Sequence, residues 1–559
     1  MKEKGTTDKL QCQILVETMH FHGVNHAVVS PGSRNAPLII ALSRSRIKTH
    51  IVVDERSAAY VALGMAQQLK APVALVCTSG TALLNYAPAV AEAYYQKIPL
   101  IVVSADRPQE WIDQDDSQTI RQFKALDQFV KRSYDIPARC DDDTAVWYAE
   151  RIAHDAMMEA TSLRRAPVHI NVQLAEPLNG LTTEPYKLRR IHHFPSYDGI
   201  CRDDIIKLKG QLLHKRVMII AGFMEMNEPL RQALNAIAVN DYAVVLTETI
   251  SNMADDFTIN AIDRTLLAID ENDKRYYPDV VITIGGAIVS RKIKAFLRKV
   301  KPDHWYVGLN DVTVDCFQSL TRRIEANPDT FIPTLFQDSL TVKSFCTIWQ
   351  DAHTAGLRRH HKYLEKIGWS DMKAYETIFD FYQQNHPDNL IMHFSNGTTI
   401  RYAQLFGDRV IAPNFCNRGV SGIDGCTSTA IGAAMVNGPA VLITGDMSFL
   451  YDISALSAIT PKLQLKIVVV DNGGGGIFRF IDSTASLPEL EKYFVVKRNL
   501  DVEKVAASFG IKTYRADNAD SLFEQLSNMM VEDGPAVLVV KTDGKRSAEI
   551  LKNYFKPIK

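Results

Sequence analysis

Short runs of aliphatic and β-branched residues alternate with longer helical patterns along the whole chain, Ala-rich and amphipathic after each run of the first third. No other feature restricts the fold as much. HAVVS, HIVVD, VALVCTS and LIVVSAD stand in the first third, VMIIAG, AVVLTET, VVITIGG and WYVGLND in the middle, and VLITGD, LKIVVVDN and AVLVVKTD in the last. Continuous apolar runs suit strands covered on both faces, and the helical patterns between them supply the crossovers of a parallel sheet. A polar, Pro-containing stretch over residues 176–203 interrupts the series and reads as a linker; a charged helical stretch over 341–372 marks a second connection. At roughly 100–200 residues per domain, the 559 residues make about three domains. The expectation is α/β throughout, as three doubly wound parallel-sheet domains near 1–180, 200–345 and 370–559.

The outer two domains resemble each other. KAPVALVCTSGTALLNYAPAVAEAYYQKIPLIVVSADRP and NGPAVLITGDMSFLYDISALSAITPKLQLKIVVVDNGG both read strand, turn, helix, strand, and each domain closes on a Pro-led strand, APVHINVQL or GPAVLVVKTD. Duplication and shared βαβ physics both account for this.

Charge and cysteines narrow the function classes. With 63 Lys+Arg against 64 Asp+Glu the formal charge is −1, and no long basic run offers a footprint for nucleic acid, so cationic chemistry must be focused in a pocket. The eight cysteines are scattered without a CxxC pair, which argues against a zinc site or a disulfide framework and fits a reducing cytoplasm. The N-terminus lacks the apolar core of a signal peptide and no run approaches the ~18 residues of a membrane helix, so a cytoplasmic protein without an integral membrane segment is expected.

Three elements carry chemistry. Gly445-Asp446 follows the run AVLIT, and Asn472-Gly473-Gly474-Gly475-Gly476 follows LKIVVVD. Open α/β sheets bind ligands at the carboxyl ends of their strands, where an Asp and an Asn can offer oxygen to a hard cation while glycine backbone approaches phosphate. A Mg²⁺-diphosphate is the predicted ligand. The plainer alternative makes Asp446 a helix cap and the glycines a turn, since the run matches neither GxGxxG nor the Lys-containing P-loop. Asp54-Glu55-Arg56 opens a second helical pattern, and on position alone a carboxylate there serves the helix dipole. The third element is a set of anion-binding candidates at turns: Ser30-Pro31-Gly32-Ser33-Arg34, Asp106-Arg107-Pro108, Ser117-Gln118, Arg291-Lys292, Arg401 and Asn417-Arg418-Gly419. Arginine forks suit carboxylates.

SPGSRNAPL, DERSAAYVALGMA, TSGTALLNYAPAVAEA, SADRP, NRGVSGIDG, GDMSFLYD and NGGGGIF, in this order, resemble the thiamine-diphosphate (ThDP) enzymes, whose chains carry a pyrimidine-binding, a central and a diphosphate-binding domain. The resemblance is closest to the synthases of menaquinone biosynthesis that make 2-succinyl-5-enolpyruvyl-6-hydroxy-3-cyclohexene-1-carboxylate (SEPHCHC). It implies a ThDP- and Mg²⁺- (or Mn²⁺-) dependent transferase that decarboxylates 2-oxoglutarate and adds the resulting succinyl-semialdehyde carbanion equivalent to isochorismate. Glu55 then stands where the family's glutamate hydrogen-bonds the cofactor's aminopyrimidine. Asp446, Asn472 and the Gly474 carbonyl correspond to its metal ligands, Ser448 to a cofactor contact, and Ile423 to the bulky residue supporting the bent cofactor. Ser33, Arg34, Arg107, Gln118, Arg291, Lys292 and Arg401 fall at or near substrate-anchoring positions, and Ile477 and Phe478 at the apolar wall. The order of roles of Arg291 and Lys292 stays open. The chain departs from the family pattern at Ser117, Gly397, Gly473 and Gly476, and Ser395, Thr398 and Thr399 are the hydroxyls available to replace the serine expected at Gly397. Another ThDP-dependent 2-oxo acid decarboxylase or carboligase, such as an acetohydroxyacid synthase, is the alternative; it would not need so many carboxylate anchors. Self-association as a homodimer or homotetramer is implied as well.

Overall fold

A computed structural model describes residues 5–194, 199–310, 312–337, 341–411, 413–497 and 500–556. Residues 195–198 of the expected linker and the last residue of WYVGLND lie outside these. By compactness the chain divides into two units: Met1–Ser196 with Asn417–Ala440 and Tyr451–Leu465, and Tyr197–Cys416 with Val441–Leu450 and Lys466–Lys559.

The first unit is built on a six-stranded sheet of β1 (His26–Val29), β2 (Lys48–Ile51), β3 (Val73–Cys77), β4 (Leu100–Asp106), β5 (Ser133–Ile136) and β6 (Val168–Gln173), in the order β2-β1-β3-β4-β6-β5 with parallel pairing. β3, β4 and β6 are buried along their whole length, which is why they read as unbroken apolar runs. One face of the sheet packs on a core that includes Ile14, Leu15, Met19, Leu38, Ile152 and Met157. The helix Glu55–Leu69 lies against the helix Cys426–Asn437 at a crossing made by glycines: a Cβ on Gly64 would fall 2.0 Å from the Thr429 carbonyl oxygen, and one on Gly432 would fall 2.0 Å from that of Val61. The linker returns to the start of the chain, Leu181–Thr182 pairing antiparallel with Thr6–Thr7.

The second unit holds two sheets. β7 (Val217–Ala221), β8 (Val244–Thr247), β9 (Val280–Ile284), β10 (Asp303–Val307) and β11 (Leu320–Ile324) take the order β8-β7-β9-β10-β11. Cores on either side centre on Trp305 with Phe331, and on Phe296 with Trp349. β12 (Ile391–Phe394), β13 (Asn414–Cys416), β14 (Ala440–Gly445), β15 (Leu465–Asp471), β16 (Lys512–Ala516) and β17 (Ala536–Lys541) take the order β13-β12-β14-β15-β17-β16. Its core gathers Tyr375, Phe379, Phe394, Val470, Leu538 and Tyr554. Three parallel sheets flanked by helices is the α/β architecture expected, and the first and third sheets share one strand order, second-first-third-fourth-sixth-fifth. Among the described residues no helix is long and apolar enough to cross a membrane.

Candidate active site

In the first unit, Asp54-Glu55-Arg56 divides three tasks among three side chains. Asp54 is the N-cap, its carboxylate accepting from the Ser57 N–H at 3.1 Å. Arg56 donates to the Tyr451 carbonyl at 2.8 Å and lies over the Tyr451 ring at 4.9 Å. Glu55 is half-buried and takes no hydrogen bond or ion pair among the described residues; burial, and after it the charge of Glu55, pushes the Cys77 thiol up. The helix is capped without Glu55, so its carboxylate remains available for a ligand.

The turn residues at the strand ends of the same sheet are held by other partners. Ser33 is exposed, whereas Arg34 is buried and donates to the Leu174 carbonyl at 3.0 Å while pairing with Glu176 at 3.1 Å. Burial, then the neighbouring charge of Arg107, lowers the Arg34 guanidinium's pKa from its ordinary value. Arg107 directly follows β4, donates twice to the Ser117 carbonyl at 3.2 Å and pairs with Asp116 at 2.8 Å. Gln118, exposed and left-handed at φ 60°, lies with its Cγ 3.2 Å from where a Cβ on Gly80 would be. The structure thus brings Arg34 and Arg107 together with their own carboxylates. Ile423 is 38% exposed, on a loop held by residues the sequence did not single out: the Glu92 carboxylate accepts from the N–H groups of Gly419 (2.6 Å) and Val420 (2.7 Å), and the Tyr60 hydroxyl donates to Asp424 at 2.8 Å.

In the second unit, Asp446 and Asn472 directly follow the neighbouring strands β14 and β15. Asp446 is buried; desolvation, then the charge of Asp471, pushes its carboxyl up to about 7, against hydrogen bonds from the N–H groups of Met447 and Gly474. Asn472 donates its Nδ2 to Asp371 at 2.8 Å, while its Oδ1 is buried without a hydrogen-bond partner. Gly474 sits at φ 141°, where a Cβ would meet the Val495 carbonyl oxygen at 2.5 Å, and Gly476 N–H donates to the Gly474 carbonyl at 2.8 Å. A side chain at Gly476, where a polar one is expected, would displace the Asn472 amide, since its Cβ would lie 2.7 Å from Asn472 Nδ2. Ser448 is buried in the first turn of the helix Asp446–Tyr451. Among the described residues no group of three or more His, Cys, Asp or Glu side chains is arranged to hold a metal. A cation here would therefore use one carboxylate, an amide oxygen and backbone oxygen. This set suits a hard ion such as Mg²⁺ or Mn²⁺, and both the unpartnered amide oxygen and the buried carboxyl, whose two backbone hydrogen bonds do not offset its desolvation, fit it.

Ile477 and Phe478 open the short helix Ile477–Phe480 and are half-buried, the Phe478 ring 5.7 Å from that of Phe494. Arg291 and Lys292 begin the helix Arg291–Val300, capped by Ser290. Arg291 is exposed; the Lys292 ammonium lies over the Phe555 ring at 4.6 Å. Burial raises the Asp263 carboxyl, and its Ser290 hydrogen bond, Lys292 and Arg401 draw it back. Lys292 and Arg401 thus both act electrostatically on this one carboxylate. Of the hydroxyls near Gly397, Ser395 and Thr399 are buried and joined to each other at 3.4 Å, with Thr399 bonded to Tyr375 at 2.7 Å, whereas Thr398 is half-buried.

Two family models match the chain: the N-terminal TPP (thiamine pyrophosphate, ThDP) binding domain of thiamine pyrophosphate enzymes over residues 12–126, and the C-terminal TPP binding domain over 398–540. Among curated relatives, the 2-succinyl-5-enolpyruvyl-6-hydroxy-3-cyclohexene-1-carboxylate synthase of Porphyromonas gingivalis is 38% identical, the alignment covering 98% of this chain and 97% of the relative. That of Flavobacterium johnsoniae is 40% identical over 98% of each, and that of Bacteroides thetaiotaomicron 33% identical over 99% of each. With both ThDP-binding domains matched and this identity sustained over nearly the full length, the chain belongs to the ThDP-dependent SEPHCHC synthases.

Proposed function

We propose that this chain decarboxylates 2-oxoglutarate and joins the remaining four-carbon unit to isochorismate, forming SEPHCHC for menaquinone biosynthesis. The observation that carries the reading is the pair at the ends of β14 and β15, a buried carboxyl on Asp446 and an unpartnered oxygen on Asn472, in a chain alignable end to end with such synthases. ThDP, when bound, supplies the electron sink for loss of carbon dioxide and the carbon that carries the fragment. The chain's own residues bind, orient and protect. Asp446, Asn472 Oδ1 and the Gly474 carbonyl would hold Mg²⁺ or Mn²⁺ at the diphosphate, with Ser448 beside it. Ile423 would offer the cofactor an apolar support, and Glu55 would hold a proton at the aminopyrimidine ring nitrogen. Both substrates carry two carboxylates, so Ser33, Arg34, Arg107, Gln118, Arg291, Lys292 and Arg401 are the proposed anchors. Ile477 and Phe478 exclude water, which strengthens every charge interaction nearby.

Domains at 1–180, 200–345 and 370–559, a cytoplasmic location and a homodimer or homotetramer complete the proposal. If Glu55 of one copy serves the cofactor held by Asp446 of another, a mixture of Glu55→Ala and Asp446→Ala chains recovers activity in heterodimers; formed heterodimers without any activity would sink that part. The reaction itself is tested by carbon dioxide release from 2-oxoglutarate and from pyruvate, each with and without isochorismate. Selective release from 2-oxoglutarate with an isochorismate-dependent adduct is expected; a preference for pyruvate would return the chain to the general carboligases.

A further inference from the structure

Asp371 is a buried carboxylate whose position gives it no capping duty. It is the first residue of the helix Asp371–Asn385, but the cap there is Ser370, whose hydroxyl accepts from the Lys373 N–H. All of Asp371's bonds reach instead toward the carboxyl end of the third sheet. Oδ1 accepts from the hydroxyls of Thr542 (2.5 Å) and Ser547 (3.0 Å), the Asp371 N–H donates to Ser547 Oγ at 2.9 Å, and Oδ2 accepts from Asn472 Nδ2 at 2.8 Å. Two of these partners latch chain segments together. The third belongs to a residue assigned to the cation.

An asparagine amide has one end that binds cations and one that repels them, and the two are nearly the same size. Its orientation must therefore be set by its neighbours. The amide nitrogen is the end that faces Asp371, donating to its Oδ2 as it must to an ionised carboxylate; the oxygen then points the other way, and in this structure it is the buried Asn472 Oδ1 that has no partner. Gly476 helps by size alone, because any Cβ there would press on Asn472 Nδ2 from 2.7 Å. We propose that Asp371 is a positioning residue that fixes the Asn472 amide with its oxygen toward the divalent cation and its nitrogen away. The proposal rests on the cation reading given above and deepens it.

Asp371→Asn tests it with almost no change of shape. The new amide can keep its oxygen toward Thr542 and Ser547, which preserves the latch, but then presents NH₂ to the NH₂ of Asn472. Asn472 must turn over and aim nitrogen at the cation. Calorimetric titration of ThDP into the full-length protein at a series of Mg²⁺ concentrations gives the Mg²⁺ half-saturation for cofactor binding. Outer-shell changes of this kind typically cost 10–100-fold in metal affinity, so a rise of roughly 10–100-fold is expected, with the melting temperature of the cofactor-free protein nearly unchanged. The double variant Asp371→Asn/Asn472→Asp restores a donor facing an acceptor and should recover most of the loss. Thr542→Val weakens the latch while leaving the Asn472 bond, and should lower the melting temperature without moving the Mg²⁺ requirement.

The outcomes separate. If Asn472→Ala leaves the Mg²⁺ requirement unchanged, the cation reading itself fails. If Asn472→Ala raises it but Asp371→Asn stays within twofold of the parent, the positioning role is overturned and the cation reading stands. A loss in Asp371→Asn that the double variant does not recover, or that Thr542→Val reproduces, makes Asp371 a latch and nothing more. If Asp371→Asn does not fold, the double variant and Thr542→Val decide by the same readouts.

Discussion

Two adjacent carboxylates at the start of one helix should give opposite phenotypes. Asp54 makes the cap bond to Ser57 N–H, and Asp54→Ala removes it; such losses cost about 1 kcal/mol, or roughly 2–4 °C for a domain of 150–250 residues. Glu55→Gln is nearly isosteric and removes no bond among the described residues, only a first-turn charge worth roughly 0.3–1 kcal/mol. Stability therefore falls by similar, small amounts in both. Activity should not. A group that holds or moves a proton contributes about 10²–10⁴ in rate, or roughly 3–5 kcal/mol of barrier, and Glu55→Gln should lose that much with ThDP binding largely retained. Hydrogen–deuterium exchange at the thiazolium carbon of bound ThDP reports the proton step alone, and carbon dioxide release from 2-oxoglutarate reports turnover. Exchange at the parental rate in Glu55→Gln, or equal inactivity of cofactor-loaded Asp54→Ala, would refute the division of labour.

Other expectations follow from individual contacts. Gly432→Ala places a methyl 2.0 Å from the Val61 carbonyl oxygen and should destabilise the helix crossing by about 1–3 kcal/mol; an unchanged thermal midpoint by circular dichroism would contradict the packing. Arg107→Ala or Arg401→Ala should lose about 1.5–3 kcal/mol of isochorismate recognition, roughly 10–150-fold in kcat/KM, with decarboxylation of 2-oxoglutarate less affected. Equal loss in both half-reactions would count against a second-substrate role. Glu248 is buried and accepts from the N–H groups of Val289 and Ser290, and desolvation still holds its carboxyl at about 7, above its ordinary 4.5. Between those values the folded chain binds more protons than the unfolded one, so its contribution to stability is full below about 4.5 and is lost as pH rises through 7, at up to about 1.4 kcal/mol per unit. Urea midpoints from pH 5 to 7 should show this slope, reduced in Glu248→Gln; identical slopes in parent and variant would count against the shift.

What the sequence made legible follows burial. β3, β4, β15 and β17 are covered on both faces and could be read as apolar runs. The strands not anticipated are SYDI, LTRRI, NFC and KTYRA, at sheet edges, the four-residue IMHF inside the third sheet, and the two-residue pair Thr6–Thr7 and Leu181–Thr182. Ser133–Ile136 alternates half-buried and buried residues, Leu320–Ile324 and Lys512–Ala516 are largely uncovered and carry charge, and three or four residues are too few for a pattern. The site divides in the same way. Asp446 and Asn472 announce themselves because a strand end and glycines flank them, whereas Asp371 reads locally as an ordinary acid in a first turn, and only the fold brings it 2.8 Å from Asn472. Spacing could not separate Asp54 from Glu55 or Arg291 from Lys292 either, since a one-residue step on a helix turns the side chain by about 100° and changes its whole surroundings.

The likeness of the outer domains goes beyond what βαβ connections require. Right-handed crossovers constrain the hand of each connection, not the order of six strands, yet the first and third sheets share their order from edge to edge. The agreement extends to side chains. The fourth strand ends on Asp106 in one sheet and on Asp471 in the other, and each carboxylate is held by a residue of the sixth strand, Asp106 by Asn171 at 3.0 Å and Asp471 by Lys541. The residue that follows is Arg107 in the first sheet and Asn472 in the third. At the end of the third strand stand Thr78-Ser79-Gly80 in one and Gly445-Asp446 in the other. Hydrogen-bond geometry of a strand end is common to both, so the side chains placed on it would decide the sign of what is bound: the proposed oxygen ligands for a cation in one copy, and in the other a guanidinium proposed to anchor carboxylate. Recurrence of a paired carboxylate at a matching strand end is not demanded by sheet physics, and duplication of one ancestral sheet followed by opposite specialisation explains it with fewer coincidences.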